Sequence, residues 1–431
     1  MPFATVSALN RRLQAPAHPP VRLLNFDFAI LWQGQSVSQL GNQALNVAIA
    51  FWATESTRST AITGLLLMAG LVPILVLGPF AGTFVDGHSR KRVIVTCDAV
   101  RGVVVSCLAV AFVFTSGALR VAVAFAAVVC LGTLTAFFEP ALAASIPDLV
   151  PSARLESANG FQQSSTKFSM MMGQALGGVL YHVFGAPLLF LLDGLSFFFA
   201  GACGACMRIP EVPAPARAPE RSFVKKFLTD TLGGLRYALS RPGLASLLVL
   251  SAVFNLFLAP VPVLLPAFVT QYLHGDARWY GLLLAGMSSG AMVGYWAAGF
   301  NKVKGLTRPA VVVGLFAAIA FNLMVLGQIR ERWLVLGGVF LHGLLAGLIT
   351  IRVMTILQRS TPPEGRGRVM GVFATISQAL MPIGLVGGGL VADLLGRNVP
   401  LIFAGCGGLA NIALFLVASR SNLCRFLASD R

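Results

Sequence analysis

Four ionisable side chains in or at the edge of otherwise apolar stretches are the first candidates for ion-handling chemistry. Asp98 and Arg101 stand three residues apart, which puts them on one helix face and lets them pair. Glu139 follows Phe137-Phe138, and Asp193 follows Leu191-Leu192 with no basic residue after it until Arg208. A charge inside lipid is costly, so such residues mark structural pairs or groups that handle ions. Asp98 and Arg101 are read first as a structural pair. Asp193 has two readings, a proton-coupling acid or a neutral member of a buried polar network. All four are coupling candidates. A second pattern carries no charge. Gln35, Gln39, Asn42 and Asn46 are spaced by four, three and four, which aligns them along one helix face. Such a stripe either faces a water-filled cavity or hydrogen-bonds between helices.

Patterns that suggest an enzyme do not hold up. Gly286-Met-Ser288-Ser-Gly290 matches G-x-S-x-G, but that elbow needs a strand before it and a helix after it, and here it falls inside an apolar helix. Cys203 and Cys206 form a lone C-x-x-C in an apolar run, without the second pair a metal site needs, and read as a buried helical pair. No G-x-x-x-x-G-K-[ST] occurs, so no phosphate-cradling loop for ATP is expected. These readings exclude an enzyme and call for no cofactor and no metal. They favour transport driven by an ion gradient.

The elements that position these residues follow from composition. Of 431 residues, 56% are hydrophobic and 11% charged, whereas a soluble domain carries about 25% charged residues. Lipid must replace water as solvent for most of such a chain. Apolar windows fall near 28–53, 61–84, 93–116, 120–138, 164–184 and 186–207, and again near 243–270, 279–300, 308–329, 333–357, 369–395 and 399–419. Each suits a spanning helix of about 20 residues, and helices satisfy their own backbone amides within lipid. The fold class is therefore an all-α membrane protein: twelve transmembrane helices in two six-helix pseudo-symmetric halves around a central cavity.

The net charge of +16 does not mark a nucleic-acid partner, because the basic residues are dispersed between apolar segments. They follow membrane topology instead. With both termini inside, 23 Lys and Arg fall in cytoplasmic segments, against Arg58, Arg120, Arg278, Arg330, Arg332 and Arg397 outside. That asymmetry orients the chain as a multi-pass protein of the cytoplasmic (cell inner) membrane. Residues 1–27 contain no apolar core of a signal peptide, so the first apolar helix is expected to act as an uncleaved anchor.

The expected divisions are a cytoplasmic segment 1–27, a first half 28–207, a linker 208–242, a second half 243–419 and a tail 420–431. Prolines 210, 213, 215 and 219 keep the linker from continuing a helix. An internal repeat supports the two halves. At an offset of 211 residues, Pro151 matches Pro362, Gly160 matches Gly371, Gly177-Gly178 matches Gly388-Gly389, and Gly185 matches Gly396. Parallel repeats of this kind are common in transporters.

The loop between the second and third windows reads Gly82-Thr-Phe-Val-Asp86-Gly-His-Ser-Arg90-Lys91-Arg92. It resembles the signature loop of the major facilitator superfamily, matching it at Gly82, Asp86, Arg90 and Lys91 and departing at Gly87 and Ser89. Leu31 to Ser38, Gly78 to Gly82, Pro140 to Pro151, Gly365 to Gly371 and Met381 to Gly384 are similar to the macrolide-efflux branch, which also holds siderophore exporters. Gly173-Gln174-Ala-Leu-Gly177-Gly178 resembles the antiporter motif of helix 5, with Gln174 where proline is usual. It serves either helix packing or export.

The resemblance implies a central cavity lined by helices 1, 4, 7 and 10, to which Asn255 and His342 would add polar groups and Phe137 an apolar contact. It implies export of a bulky, largely apolar small molecule such as a macrolide-like or other multidrug substrate, by alternating access in antiport with protons. A siderophore, another natural product or a lysophospholipid is the alternative cargo. The expected partners are that molecule, protons and the lipid bilayer, and the expected state is a monomer. In the superfamily the aspartate resembling Asp86 touches the start of helix 11, here Gly367 to Gly371, when the cavity faces outward.

Overall fold

The computed structural model describes residues 25–151, 154–208, 236, 240–300, 307–361 and 366–419. Within them every expected window is helical. The first four crossings are α1 (Phe26–Thr57), α2 (Thr60–Asp86), α3 (Arg90–Phe114) and α4 (Gly117–Leu149). The continuous helix Leu155–Cys206 breaks at Gly185, whose φ of 72° suits a residue without Cβ. It thus supplies two crossings, α5 (155–184) and α6 (186–206). Trp32 meets Ser165 and Gly177 meets Ala44, so α5 runs parallel to α1. Gly34 meets Cys203 and Gly41 meets Asp193, so α6 runs antiparallel to it.

The second half repeats this plan. Its crossings are α7 (Pro242–Leu258 continued by Pro260–Gln271), α8 (Ala277–Phe300), α9 (Thr307–Leu326), α10 (Arg332–Ser360), α11 (Arg366–Ala379 continued by Met381–Leu394) and α12 (Val399–Ser419). Pro260 and Pro382 fall at the two interruptions, where a ring without an amide hydrogen cannot complete the ladder. Capping is local. The Asn25 side chain accepts from the Phe28 amide at 2.8 Å, and Ser59 accepts from the Ile62 amide at 3.2 Å.

The 211-residue repeat is structural. Gly173 packs on Leu40 of α1, and Gly384 packs on Leu256 of α7. Gly177 packs on Ala44, and Gly388 on Pro260. Gly185 and Gly396 share a left-handed backbone, φ 72° and 63°. Small residues at these points let the helix backbones approach closely. Pro362 lies outside the described residues, as do 1–24, 420–431 and nearly all of the linker 208–242.

The halves meet along two seams related by the same offset. At one, a Cβ on Gly178 of α5 would lie 2.9 Å from the Cα of Gly281 on α8. At the other, a Cβ on Gly389 of α11 would lie 2.5 Å from the carbonyl oxygen of Thr60 on α2. Both seams lie toward the end of the bundle that carries Gly185 and Gly396. The first segment of α11, Arg366–Ala379, packs instead on α7 and α10 of its own half. The central space is therefore closed at the Gly185 end in this conformation.

At the opposite end the first half is braced within itself. Arg90 forms an ion pair with Asp148 of α4 and donates to the Ala144 carbonyl at 2.9 Å. Lys91 donates to the Met207 carbonyl at 2.7 Å. Asp27 accepts from the Arg208 amide at 2.8 Å.

Candidate functional site: polar and apolar cavities

The first wall is polar and belongs to the first half. One turn of α3 separates Asp98 from Arg101, and the Arg101 guanidinium stands 3.5 Å from Asp98 Oδ1. It donates to Thr135 Oγ1 of α4 at 3.0 Å and lies 4.2 Å over the Phe138 ring. The other Asp98 oxygen accepts from Gln35 Nε2 of α1 at 3.2 Å. Asp98 is 0% exposed and Arg101 6%. A buried pair is tolerable only with such extra hydrogen bonds around it. The charge of Arg101 also acts on Glu139 and Asp193, although only Asp98 lies within ion-pair distance of it.

Asp193 is 1% exposed. Its Oδ1 accepts from Ser196 Oγ at 3.1 Å, and its Oδ2 has no hydrogen-bond partner among the described residues. It fits there because residue 41 of α1 is glycine, whose absent Cβ leaves room for the carboxylate. Glu139 is exposed and lines a small cavity of about 30 Å³ with Gln35, Gln39, Asn42 and Arg101. That space suffices for a water molecule between the polar groups.

The second wall is apolar and belongs mainly to the second half. A cavity of about 270 Å³ lies between α5, α7, α8 and α10, lined by Met170, Met287, Met292, Tyr295, His342 and Lys167, among others. It adjoins a second, of about 210 Å³, that includes Phe254, Asn255, Phe316, Thr350 and Phe373. Leu258 and Ala346 line both. Methionine is flexible and polarisable, so such walls adapt to irregular apolar shapes. His342 is buried with no partner for its Nδ1. Asn255 donates to the Ser251 carbonyl at 2.9 Å.

The sequence-derived residues divide accordingly. Gln35, Gln39 and Asn42 line the polar wall, with Asp98, Arg101, Glu139 and Asp193 at or behind it. Asn255 and His342 line the apolar wall. Asn46 is exposed and lies outside these cavities. Phe137 packs edge-on against Phe84 of α2, with ring centroids 5.3 Å apart. Among the described residues, none beyond its own stretch of helix lies within 4 Å of where a Cβ on Gly82 would be. The Asp86 side chain lies outside the described residues, as do those of Arg366 to Arg368. Cys203 is buried but Cys206 is exposed and both are free, so the expectation of a buried pair holds for one partner.

Gln174 and Ser288, noted in sequence for other reasons, meet across the halves, where Gln174 Oε1 accepts from Ser288 Oγ at 2.7 Å. Several other residues were not singled out from sequence. Lys167 joins the apolar wall. Beyond the cavity, His182 pairs with Asp276 at 3.3 Å, and Asp393 binds the start of α2. A signal existed for the last set, because His182 and Asp393 are 211 residues apart.

Comparison with known proteins agrees with this architecture. A family described as transmembrane secretion effector matches residues 17–428. Macrolide efflux protein A of Streptococcus pyogenes is 25% identical over 387 residues, 88% of this chain and 92% of the relative. The multidrug efflux pump Tap of Mycolicibacterium fortuitum is 26% identical over 376 residues, 84% and 88% of the two chains. Among solved structures, nucleoside transporter NupG superposes with a TM-score of 0.69 at 10% identity, over 90% of this chain and 99% of its own. A bacterial homolog of the human lysosomal transporter Spinster, inward-facing and unoccupied, superposes with a TM-score of 0.64 at 15% identity, over 94% and 98%. The chain belongs to the transmembrane secretion effector family of major facilitator superfamily transporters.

Proposed function

We propose that this transporter exports a bulky, largely apolar compound of the macrolide-like class, in exchange for protons. The observation that carries the reading is the pair of adjoining apolar cavities, of about 270 and 210 Å³, in a chain whose first half also buries a charged cluster. An adaptable methionine- and phenylalanine-lined surface suits an apolar body. In the first half Asp98 pairs with Arg101, and the carboxylates of Glu139 and Asp193 lie within the electrostatic influence of the same guanidinium. A proton on any of them brings the cluster nearer neutrality and loosens its hold on the guanidinium. Proton arrival and cargo release are then linked through α1, α3, α4 and α6. The similarity to macrolide efflux protein A and to Tap supports the same reading. Lys167 favours one second reading, an anionic natural product such as a siderophore.

On this proposal both termini and the linker 208–242 are cytoplasmic, the Gly185 end faces outward, and the monomer is the transporting unit. Reporter fusions after Gly185 and Arg397 should map outside, and cytoplasmic activity at either would reverse the orientation. The deciding assay uses inverted vesicles. An imposed pH gradient should drive uptake of a radiolabelled macrolide, and an uncoupler should abolish it. Uptake of a siderophore but not the macrolide would select the second reading. Uptake insensitive to the uncoupler would remove the proton.

A further inference from the structure

Among the described residues that line the two apolar cavities there is one lysine, Lys167, and no Asp, Glu or Arg. The acids of the first half, Asp98, Glu139 and Asp193, lie in the field of Arg101 instead. Lys167 is exposed and has no ion pair among the described residues. Its place follows from helix periodicity. Lys167, Met170 and Gln174 stand at i, i+3 and i+7 and so share one face of α5. Gln174 meets Ser288 of α8, and Gly178 meets Gly281, so the two helices are antiparallel and in contact at these points. On the other side of Gln174, about 10 Å along α5 at Lys167, the larger cavity lies between them. Met170 and Lys167 line it from α5, Met292 and Tyr295 from α8. The turn that carries Lys167 is held against α1, where Trp32 donates to Ser165 Oγ at 2.6 Å and lies 4.9 Å from the Phe161 ring centroid.

A cation beside an apolar space that holds no carboxylate sets the sign of what binds there. An anion is attracted, a neutral molecule gains nothing from the charge, and an organic cation is repelled, the more strongly as the cavity dries. The neighbouring polar groups can donate as well. Tyr295 brings a hydroxyl, and His342 brings a ring N–H on a side chain only 7% exposed, whose Nδ1 has no partner among the described residues. Ser288 Oγ is already given to Gln174. We propose that Lys167 selects the cargo by charge, and that the cargo carries an anionic group, a carboxylate or phenolate, on its bulky apolar body. The ammonium holds the anion from α5 while the wall contributed by α7, α8 and α10 takes the body, so the bound molecule spans both halves. The assignment rests on the reading that these cavities hold the cargo, and it narrows that cargo from an apolar compound to an apolar anion. Organic cations are excluded.

The test uses the full-length protein in phosphatidylcholine nanodiscs, whose zwitterionic headgroups add no net surface charge. Three probes share one pyrenebutyl body and differ in charge: pyrenebutyrate, pyrenebutyramide and pyrenebutyl trimethylammonium. Binding is followed by fluorescence and corrected against empty discs. The parent should bind the carboxylate at least about tenfold tighter than the amide, the scale of one hydrogen bond to a charged group, and the ammonium most weakly. Lys167→Gln should bring the carboxylate to within about twofold of the amide, whose own affinity holds, because only the charge is lost. Lys167→Arg should keep the preference, and Lys167→Glu should reverse it. A Lys167→Gln variant that keeps the preference overturns the proposal, the lysine then only snorkelling to the membrane edge. Equal loss for all three probes overturns it too. Met292→Trp fills the cavity and should weaken all three. Unchanged binding there means that the cavity is not the cargo site, and the proposal falls with that reading. Failed macrolide uptake with the charge preference intact removes the macrolide and keeps the anion site. Phosphatidylglycerol in the discs tells the source of the anion. Competition with pyrenebutyrate in the parent but not in Lys167→Gln supports the site with an anionic lipid as its occupant, and equal effects in both support it with a soluble anion.

Discussion

Gln174 and Ser288 join the two halves through one hydrogen bond, Ser288 Oγ to Gln174 Oε1, 2.7 Å long. The bond spans α5 and α8 beside the Gly178–Gly281 seam. It uses the one residue at which the antiporter-like motif of α5 departs from its usual proline. A departure in sequence thus coincides with a contact in structure that a proline could not make.

Gln174→Leu keeps the side-chain volume and removes the acceptor. Hydrogen bonds between membrane helices contribute about 0.6 kcal/mol on average, so the closed seam should lose about that much. Labelling of the cavity from the Gly185 side should rise about two- to threefold while expression is unchanged. Ser288→Ala should give the same shift, and the double variant no more than either. Additive effects would show that the two side chains act through different contacts.

Arg101 holds Asp98, Thr135 and the Phe138 ring together. Arg101→Ala leaves a buried carboxylate without its counter-ion, a change that costs about 3–5 kcal/mol. The variant should lose most of its yield and melt well below the parent in detergent. Arg101→Gln combined with Asp98→Asn removes both charges and should recover folding, because a neutral pair can hydrogen-bond in the same space. Recovery of folding without recovery of gradient-driven transport would assign the pair to coupling as well as to structure. Full recovery of both would leave it structural.

Most of the fold was legible in the sequence, since lipid forces helices and the repeat at 211 residues announces two halves. The stripe of Gln35, Gln39 and Asn42 was legible for the same reason, because a helix fixes which residues share a face. What could not be read were contacts between residues distant in the chain. Nothing local in the sequence says that Asp393 meets Thr60, or that Arg101 lies within reach of Asp193. The breaks inside α7 and α11 were also missed as breaks, although Pro260 and Pro382 stand at them. Nor does the sequence show that Phe137, expected at the cavity from the resemblance, packs its ring edge-on against Phe84.

Asp193 carries the last prediction. It is buried among α1, α3 and α6, with Ser196 as donor to one oxygen and no partner for the other. The charged group that acts on it is Arg101 of α3, which in turn pairs with Asp98 and acts on Glu139 of α4. Gly41 of α1 leaves room for the carboxylate, since a Cβ there would press against Asp193 Oδ1. Asp193→Asn keeps shape and the hydrogen bond from Ser196 but cannot bind or release a proton. If Asp193 is the coupling acid, counterflow down a substrate gradient should persist, while pH-driven accumulation falls at least tenfold and its dependence on pH flattens. If it is only a member of the polar network, accumulation and pH profile should match the parent. Gly41→Ala is the companion test. The added methyl presses on Asp193 Oδ1 and Ser196 without changing any charge, so it should impair packing and leave the shape of the pH profile unchanged. A pH profile altered equally by both variants would place the effect in packing and remove Asp193 from the coupling path.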